Sequence, residues 1–452
     1  MPAATELQTC VEKELIRMFT ASILAGSAAV FSAVTYTFGV FSALYLVLAI
    51  GLLALSAGVI FFLGLYIANI IGCRRAGLYT DRMNEFIEFK DPYLAKTYAK
   101  RKMPIRVLLE AYKKDKLDFK IDLYDALCQR QEFSTFELTT IEMKVFFLKF
   151  VPVIFTHNVQ TDRDAVEIHY EIGHDFFHGF LGDNMTYSCG VVTDASEDIE
   201  KMQRNKYELV RKKLKLEKDD YLLDLGCGWG GMARHLARES GCEVLAISTS
   251  KEQIEYCQER LNSETAIENP PKFKLYDYRE IPRNRKFSKI SCIEMSEHVG
   301  VLHYQGFLKI LDEIMEDNGI LFLQYVGLRN SWSWEDFVWG LTSASYVFAN
   351  ADASCPIEWL VAQLAKGGFD TYELKIVTPH YAKTIHKWYV RWSTDEIREK
   401  MVAKYGVAWY RIYKFFWAWS TIIATQGSAT AVQIVSKKAK RSNIGEVDMT
   451  LL

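Results

Sequence analysis

A chain of 452 residues is too long for one ordinary domain, and its 54 Lys+Arg against 56 Asp+Glu leave a formal net charge of −2. That near balance excludes a polyanion binder, which carries a basic excess, so no nucleic-acid partner is expected. Nine cysteines, odd in number and without a CxxC pair, exclude a disulfide frame and a zinc site, so no metal is expected and the thiols read as reduced and cytosol-facing.

Residues 18–73 form a run of 56 without a charge. One straight helix of that length would reach about 84 Å, against a hydrocarbon core of about 30 Å. The run is therefore expected to fold back as two transmembrane helices, turning near 35–42 around Gly39. A re-entrant hairpin and a buried soluble helix pair are the alternatives. Lys13 and Arg17 precede the run and Arg74 and Arg75 follow it, which places both ends and everything downstream in the cytosol. Residues 1–75 are thus read as a membrane anchor. Residues 76–165 are mixed, charged and mostly helical in pattern, a connecting region; Arg101-Lys102 and Lys113-Lys114 there suit anionic headgroups or a solvated face.

From about 205 the pattern alternates strand and helix. Strands are expected at 221–225, 243–247, 273–276, 290–294, 319–325, 371–377 and 430–436, with helices at 232–239 and 250–262, the latter capped by Ser250. Such alternation gives an α/β fold with a mostly parallel sheet covered on both faces. Residues 166–437 form this domain, with a helical lid insertion at about 328–366, and 438–452 are a tail.

The sharpest local signal is Leu223-Asp224-Leu225-Gly226-Cys227-Gly228-Trp229-Gly230-Gly231. A strand delivers the chain to glycines that let a ligand approach the backbone. The spacing is not the dinucleotide G-x-G-x-x-G, and no P-loop Lys-Ser/Thr follows. This suits S-adenosylmethionine, which has no phosphate, or a structural tight turn. At the end of the second strand, Ser248-Thr249 and Gln253 stand where an acid commonly meets the ribose; ligand contact and helix capping both fit them. Asp277-Tyr278 stand where an adenine ring would lie. The aromatic and basic stretch at 409–419 fits an interfacial helix, a buried helix or nucleic-acid stacking.

Six ordered motifs resemble the cyclopropane fatty acid synthase and mycolic acid methyltransferase family across residues 165–437. They are His169-Tyr170-Glu171-Ile172-Gly173-His174-Asp175-Phe176-Phe177, Met185-Thr186-Tyr187-Ser188-Cys189, the glycine loop, Ser250-Lys251-Glu252-Gln253, Met295-Ser296-Glu297-His298-Val299-Gly300 and His380-Tyr381-Ala382-Lys383-Thr384-Ile385. With the apolar N-terminal run, Gln324-Tyr325-Val326-Gly327-Leu328-Arg329, Trp334-Glu335-Asp336 and Gln426-Gly427-Ser428-Ala429-Thr430 look like the sphingolipid C9-methyltransferase branch. The resemblance implies a Rossmann-like, seven-stranded S-adenosylmethionine-dependent methyltransferase with a transmembrane hairpin. It implies action on C9 of the unsaturated sphingoid base of ceramide or glucosylceramide precursors at the endoplasmic reticulum membrane. Unsaturated phospholipid acyl chains as substrate, or an inactive cofactor-binding scaffold, are the competing readings.

By the same resemblance Tyr170, Tyr187, Ser188, Asp224, Gly226, Gly228, Gln253 and Asp277 contact the cofactor. Cys189, Glu297 and Tyr381 fall where cyclopropane synthases hold a bicarbonate ion that acts as base. Those enzymes have a histidine where this chain has Gln324, an amide that donates a hydrogen bond but does not titrate. Bicarbonate, Glu297 itself or another carboxylate thus remain as the base. Tyr381, Trp332, Trp334, Phe337 and Tyr346 are the aromatic candidates for stabilising positive charge on the substrate.

Overall fold

The alternating apolar runs after residue 220 pair into one seven-stranded sheet. In chain order its strands are β1 (Tyr221–Leu225), β2 (Glu243–Ser248), β3 (Lys272–Leu275), β4 (Phe287–Ile293), β5 (Met315–Leu328), β6 (Phe369–Ile376) and β7 (Ala429–Lys438). Across the sheet they run β6-β7-β5-β4-β1-β2-β3. Strands β1 to β5 pair in parallel, and β7 is antiparallel to both β5 and β6. The structure, a computed structural model, describes residues 43–150, 172–264, 267–331, 333–344, 346–347 and 354–439, with Gly26.

Side chains alternate across each strand, so the sheet buries two distinct cores. Leu223, Leu225, Leu245, Ile247, Ile290 and Leu323 pack on one face. Leu222, Val244, Ala246, Ile320 and Phe322 pack on the other, under the helices Ile199–Leu214 and Gly231–Ser240. Asp224 shares that second face and is buried there. Strand β1 lies between β4 and β2, so the connections leaving it diverge and open a crevice at the carboxyl ends of the strands. The helix Lys251–Ser263 starts beside that crevice, and Ser250 caps it by accepting from the Gln253 N–H at 3.3 Å.

A third core is aromatic. The helices Thr378–Trp392 and Val407–Thr425 pack together and against residues 83–133. Trp388, Trp392, Trp417 and Trp419 are almost wholly buried in it. The stretch at 409–419 is therefore a core helix. Residues 76–150 are more than a connector. They carry two small ladders, Ile87–Phe89 with Leu117–Phe119 and Met103–Pro104 with Ser134–Thr135, and supply one wall of this core.

N-terminal to that wall stands a single described helix, Ala43–Ala76. Its segment Ile50–Ile71 is long and apolar enough to cross a membrane, and Ile50, Leu52, Leu63 and Ile67 are exposed on it. Midway along it Phe61 stacks on Phe146 at 5.7 Å, and nearer its end Asn69 accepts from the Leu138 N–H at 2.8 Å. The anticipated turn at 35–42 lies outside the described residues, as does everything before it except Gly26.

Candidate functional site

Where β1 ends, Gly226 and Gly228 take φ of +71° and +53°, a left-handed turn that only glycine adopts without strain. A Cβ on Gly226 would lie 2.8 Å from that of Met295, whereas one on Gly228 would meet nothing within 4 Å. The backbone at Gly228 therefore faces open space. Two adjoining cavities meet at this turn and share Gly226, Gly228, Gln253 and Glu294. The first also takes in Ser248, Thr249, Asp277 and Tyr278. The second takes in Tyr187, Ser188, Asp224 and Lys206. Ten of the eleven residues expected to hold a cofactor thus line one crevice; the eleventh, Tyr170, lies outside the described residues.

The polar groups there are arranged in pairs. Ser248 Oγ donates to Gln253 Oε1 at 2.7 Å and accepts from the Ser250 N–H at 3.1 Å, so helix capping and cavity lining fall to the same short segment. Asp277 is less free than its position suggested: Arg279 grips both carboxylate oxygens at 2.7 Å. Asp224 Oδ1 accepts from Ser291 Oγ at 2.7 Å, while its buried Oδ2 has no partner among the described residues. Burial pushes the Asp224 pKa up to about 6. Lys206, wholly buried, donates to Ser188 Oγ at 2.6 Å, and burial brings its pKa down to about 8 against the pull of Glu294.

At the end of β4 stand two carboxylates three residues apart. Glu297 Oε1 accepts from the Val326 N–H at 2.6 Å, and its Oε2 is buried without a partner among the described residues. Burial, and then the neighbouring Glu294, raise its pKa to about 8. Glu294 Oε1 accepts from the Cys189 N–H at 2.9 Å and from Gln324 Nε2 at 2.8 Å. Gln324 Oε1 in turn accepts from Gln433 Nε2 at 2.7 Å, across the β5–β7 pairing. Tyr381 packs beside Cys189 and feels both carboxylates, which, after burial, keep its hydroxyl protonated. Cys189 contributes its backbone N–H; burial holds its thiol far above the ordinary range, so it is inert.

Residues 157–434 match the family described as Mycolic acid cyclopropane synthetase. The chain belongs to that family. A Sphingolipid C9-methyltransferase of Komagataella phaffii is 37% identical over 381 residues, covering 80% of this chain and 78% of that protein. Sphingolipid C9-methyltransferase 2 of Gibberella zeae is 37% identical over 360 residues, covering 79% and 69%. The solved mycolic acid cyclopropane synthase CmaA1, complexed with SAH and CTAB, is similar with a TM-score of 0.57 at 21% identity, over 61% of this chain and 98% of that one. The fold is accordingly that of the class I S-adenosylmethionine-dependent methyltransferases, with a mixed sheet, and the chain is an enzyme of that class.

Within this family framework the four expected catalytic residues do come together, but around Glu294, which the sequence did not single out. It was only the last residue of the strand expected at 290–294. Lys206 was missed as one of many bases on the helix Ile199–Leu214; only its burial marks it. The aromatic candidates divide. Tyr381 is at the site. Trp334 Nε1 donates to the Phe136 carbonyl at 2.8 Å, Phe337 packs 5.9 Å from Phe146, and Tyr346 bonds Glu110 and Arg106. These three hold the segment after β5 against residues 76–150 and line neither cavity. Trp332 lies outside the described residues.

Proposed function

We propose that this chain is a membrane-bound C-methyltransferase that methylates C9 of the unsaturated sphingoid base of ceramide or glucosylceramide precursors. The observation that carries the chemistry is one crevice holding a glycine-lined cavity and, beside Tyr381, a carboxylate pair of which Glu297 is buried and Glu294 half-buried. The names of the relatives from Komagataella phaffii and Gibberella zeae supply the lipid.

S-Adenosylmethionine fits the residues present. The open space at Gly228 admits its backbone contacts, and its zwitterionic end needs one cation and one anion, for which Lys206 and the unpartnered Asp224 Oδ2 stand in the same cavity. Tyr187, Ser188, Ser248, Thr249, Gln253, Asp277 and Tyr278 would complete the cradle. When bound, the cofactor supplies an electrophilic methyl group. An alkene is a weak nucleophile, so the protein's task is to hold the double bond in line, about 3–3.5 Å from the methyl carbon, and to keep water out. Tyr381 presents its ring to positive charge developing on the lipid, and a carboxylate at the end of β4 takes up the proton that is lost.

The helix Ala43–Ala76 supports delivery from a bilayer. At about 51 Å it exceeds a hydrocarbon core of about 30 Å. Its Phe61 and Leu65 pack with Val145, Phe146 and Leu341, against the segment that follows β5. A hairpin anchor in the endoplasmic reticulum, with the catalytic domain in the cytosol, is part of the proposal. Lipid extracts from cells with and without the gene, compared by mass spectrometry, test it. Loss of one methylene unit from ceramides in the deletion is the expected result. The same shift on phospholipids, or no shift, overturns the substrate assignment.

A further inference from the structure

We propose that the Glu294 carboxylate is the general base of this enzyme, so that the reaction proceeds without a bound bicarbonate ion. The inference rests on the C-methyltransferase reading above and deepens it. Glu294 takes φ of +50° immediately after β4, a left-handed backbone that a long side chain adopts at a cost of about 1 kcal/mol or more. It is held there by a built network. Gln433 donates to the Gln324 carbonyl oxygen, which fixes the Gln324 amide so that its N–H points to Glu294, and the Cys189 N–H meets the same carboxylate oxygen. Among the described residues no group meets the second oxygen, and Glu294 borders both cavities.

Glu297 is buried and Glu294 half-buried beside it, so the two do not readily both ionise, and their surroundings decide which keeps the proton. Glu297 accepts from the Val326 N–H, with weaker help from its own N–H and the Ser296 hydroxyl, and no cation favours its ionised form. Glu294 has two donors, and the Lys206 charge also favours its ionised form. The negative charge therefore resides on Glu294 and the proton on Glu297. Glu297 is pushed up to about 8 by burial and by Glu294; burial raises Glu294 too, but its donors oppose the rise. A bicarbonate ion does not fit this arrangement. The Cys189 and Gln324 donors that it would need are already engaged by Glu294, and it would sit beside two acidic side chains.

The step balances. The alkene π pair forms the new carbon–carbon bond to the methyl group as the carbon–sulfur pair departs with sulfur, leaving the adjacent lipid carbon cationic. The free Glu294 oxygen accepts the proton from the methylated carbon. That C–H pair restores the double bond, giving a neutral branched alkene and a neutral Glu294, which then returns its proton to solvent.

Glu294→Gly is the variant to make, because glycine accepts the left-handed backbone while the side chain, carboxylate included, is removed. Full-length protein in detergent would be titrated with 13C-labelled bicarbonate and followed by 13C NMR, and assayed on an unsaturated ceramide in carbon-dioxide-free buffer. The wild type is expected to show no bound bicarbonate line and the same turnover with and without the ion. The variant is expected to lose about 10²–10⁴-fold in turnover, to retain S-adenosylmethionine with affinity within a few-fold by calorimetry, and to gain turnover and a bound line when bicarbonate is added. A bound line in the wild type, a wild-type rate that falls without bicarbonate, or a variant with wild-type turnover overturns the proposal. The NMR measurement needs no lipid, so it decides the matter of the anion even if ceramide proves to be the wrong substrate.

Discussion

The crevice at the strand ends and the aromatic layer along the helices Thr378–Trp392 and Val407–Thr425 both bury polar atoms without partners, but of opposite kinds. The crevice leaves acceptors unpaired, Asp224 Oδ2 and Glu297 Oε2. The layer leaves donors unpaired, the indole N–H groups of Trp388, Trp417 and Trp419, and that of Trp229 where layer and crevice meet. An unpaired buried acceptor beside a cavity costs free energy that a ligand can recover. An indole N–H among ring faces meets weak π acceptors instead, and the ring's area outweighs the loss. Trp417 is 4.5 Å from Phe180 and 5.5 Å from Trp388, centroid to centroid. Unpaired carboxylate oxygens thus mark the crevice, and unpaired indole N–H groups the ring layer that backs it.

The largest expected effect breaks the layer. Trp417→Ala should cost about 3–5 kcal/mol in stability, the usual penalty for emptying a buried aromatic site, while Trp417→Phe should cost much less, since the N–H it removes has no partner. Urea midpoints of the two variants check this. A Phe variant as unstable as the Ala variant would show that the N–H does find an acceptor.

In the crevice the matching test is pH. The folded chain keeps a proton on Glu297 up to about pH 8, whereas an ordinary glutamate releases it near 4.5. The folded state therefore binds the extra proton between these values. The stability that this proton supplies is complete below about pH 4.5 and lost as pH rises through about 8. Glu297→Gln has no proton to lose. Its stability should be flatter with pH, and at pH 8.5 it should exceed the wild type by a few kcal/mol. Thermal unfolding at pH 5 and 8.5 measures the difference; parallel curves for the two proteins would mean that Glu297 is ionised throughout.

Much of the fold was legible because alternation and glycine punctuation are local. The strand at 221–225, the turn at Gly226 and Gly228, and the Ser250 cap each depend on a few neighbouring residues. Strand β5 begins at Met315, earlier than 319, because pairing of Met315 with Phe287 extends it, a non-local cause. The stretch at 409–419 could not be assigned from its own pattern, since periodicity shows that a face is apolar but not what covers it; residues 83–133 do so. Glu294 escaped for the same reason. A carboxylate at a strand end reads as solvated until Cys189, Gln324 and Gln433, each distant in sequence, are seen to meet around it.

A smaller effect sharpens the crevice side. Gly228→Asn keeps a residue tolerant of the left-handed turn and places its side chain where nothing in the protein stands. Cofactor affinity should fall about 100-fold, equivalent to about 2.7 kcal/mol, with the unfolding midpoint little changed. Calorimetric titration with S-adenosylmethionine and S-adenosylhomocysteine reads it directly. Unchanged affinity would place the cofactor elsewhere.

The smallest effect uses one helix that serves both regions. Thr378–Trp392 carries Tyr381 at the crevice and Tyr389 on the side of residues 76–150. The Tyr389 hydroxyl donates to both oxygens of Asp122, at 2.9 and 2.8 Å, and accepts from the Tyr124 N–H at 3.3 Å. Asp122 is exposed, so water replaces most of what the hydroxyl gives. Tyr389→Phe should therefore cost only about 1 kcal/mol and leave kcat/KM on ceramide unaltered, whereas Tyr381→Leu, two turns earlier, removes the ring and should lower kcat. If Tyr389→Phe instead slowed turnover at full stability, the contact with residues 76–150 would be setting the position of Tyr381, and the layer would belong to the catalytic machinery rather than to the scaffold.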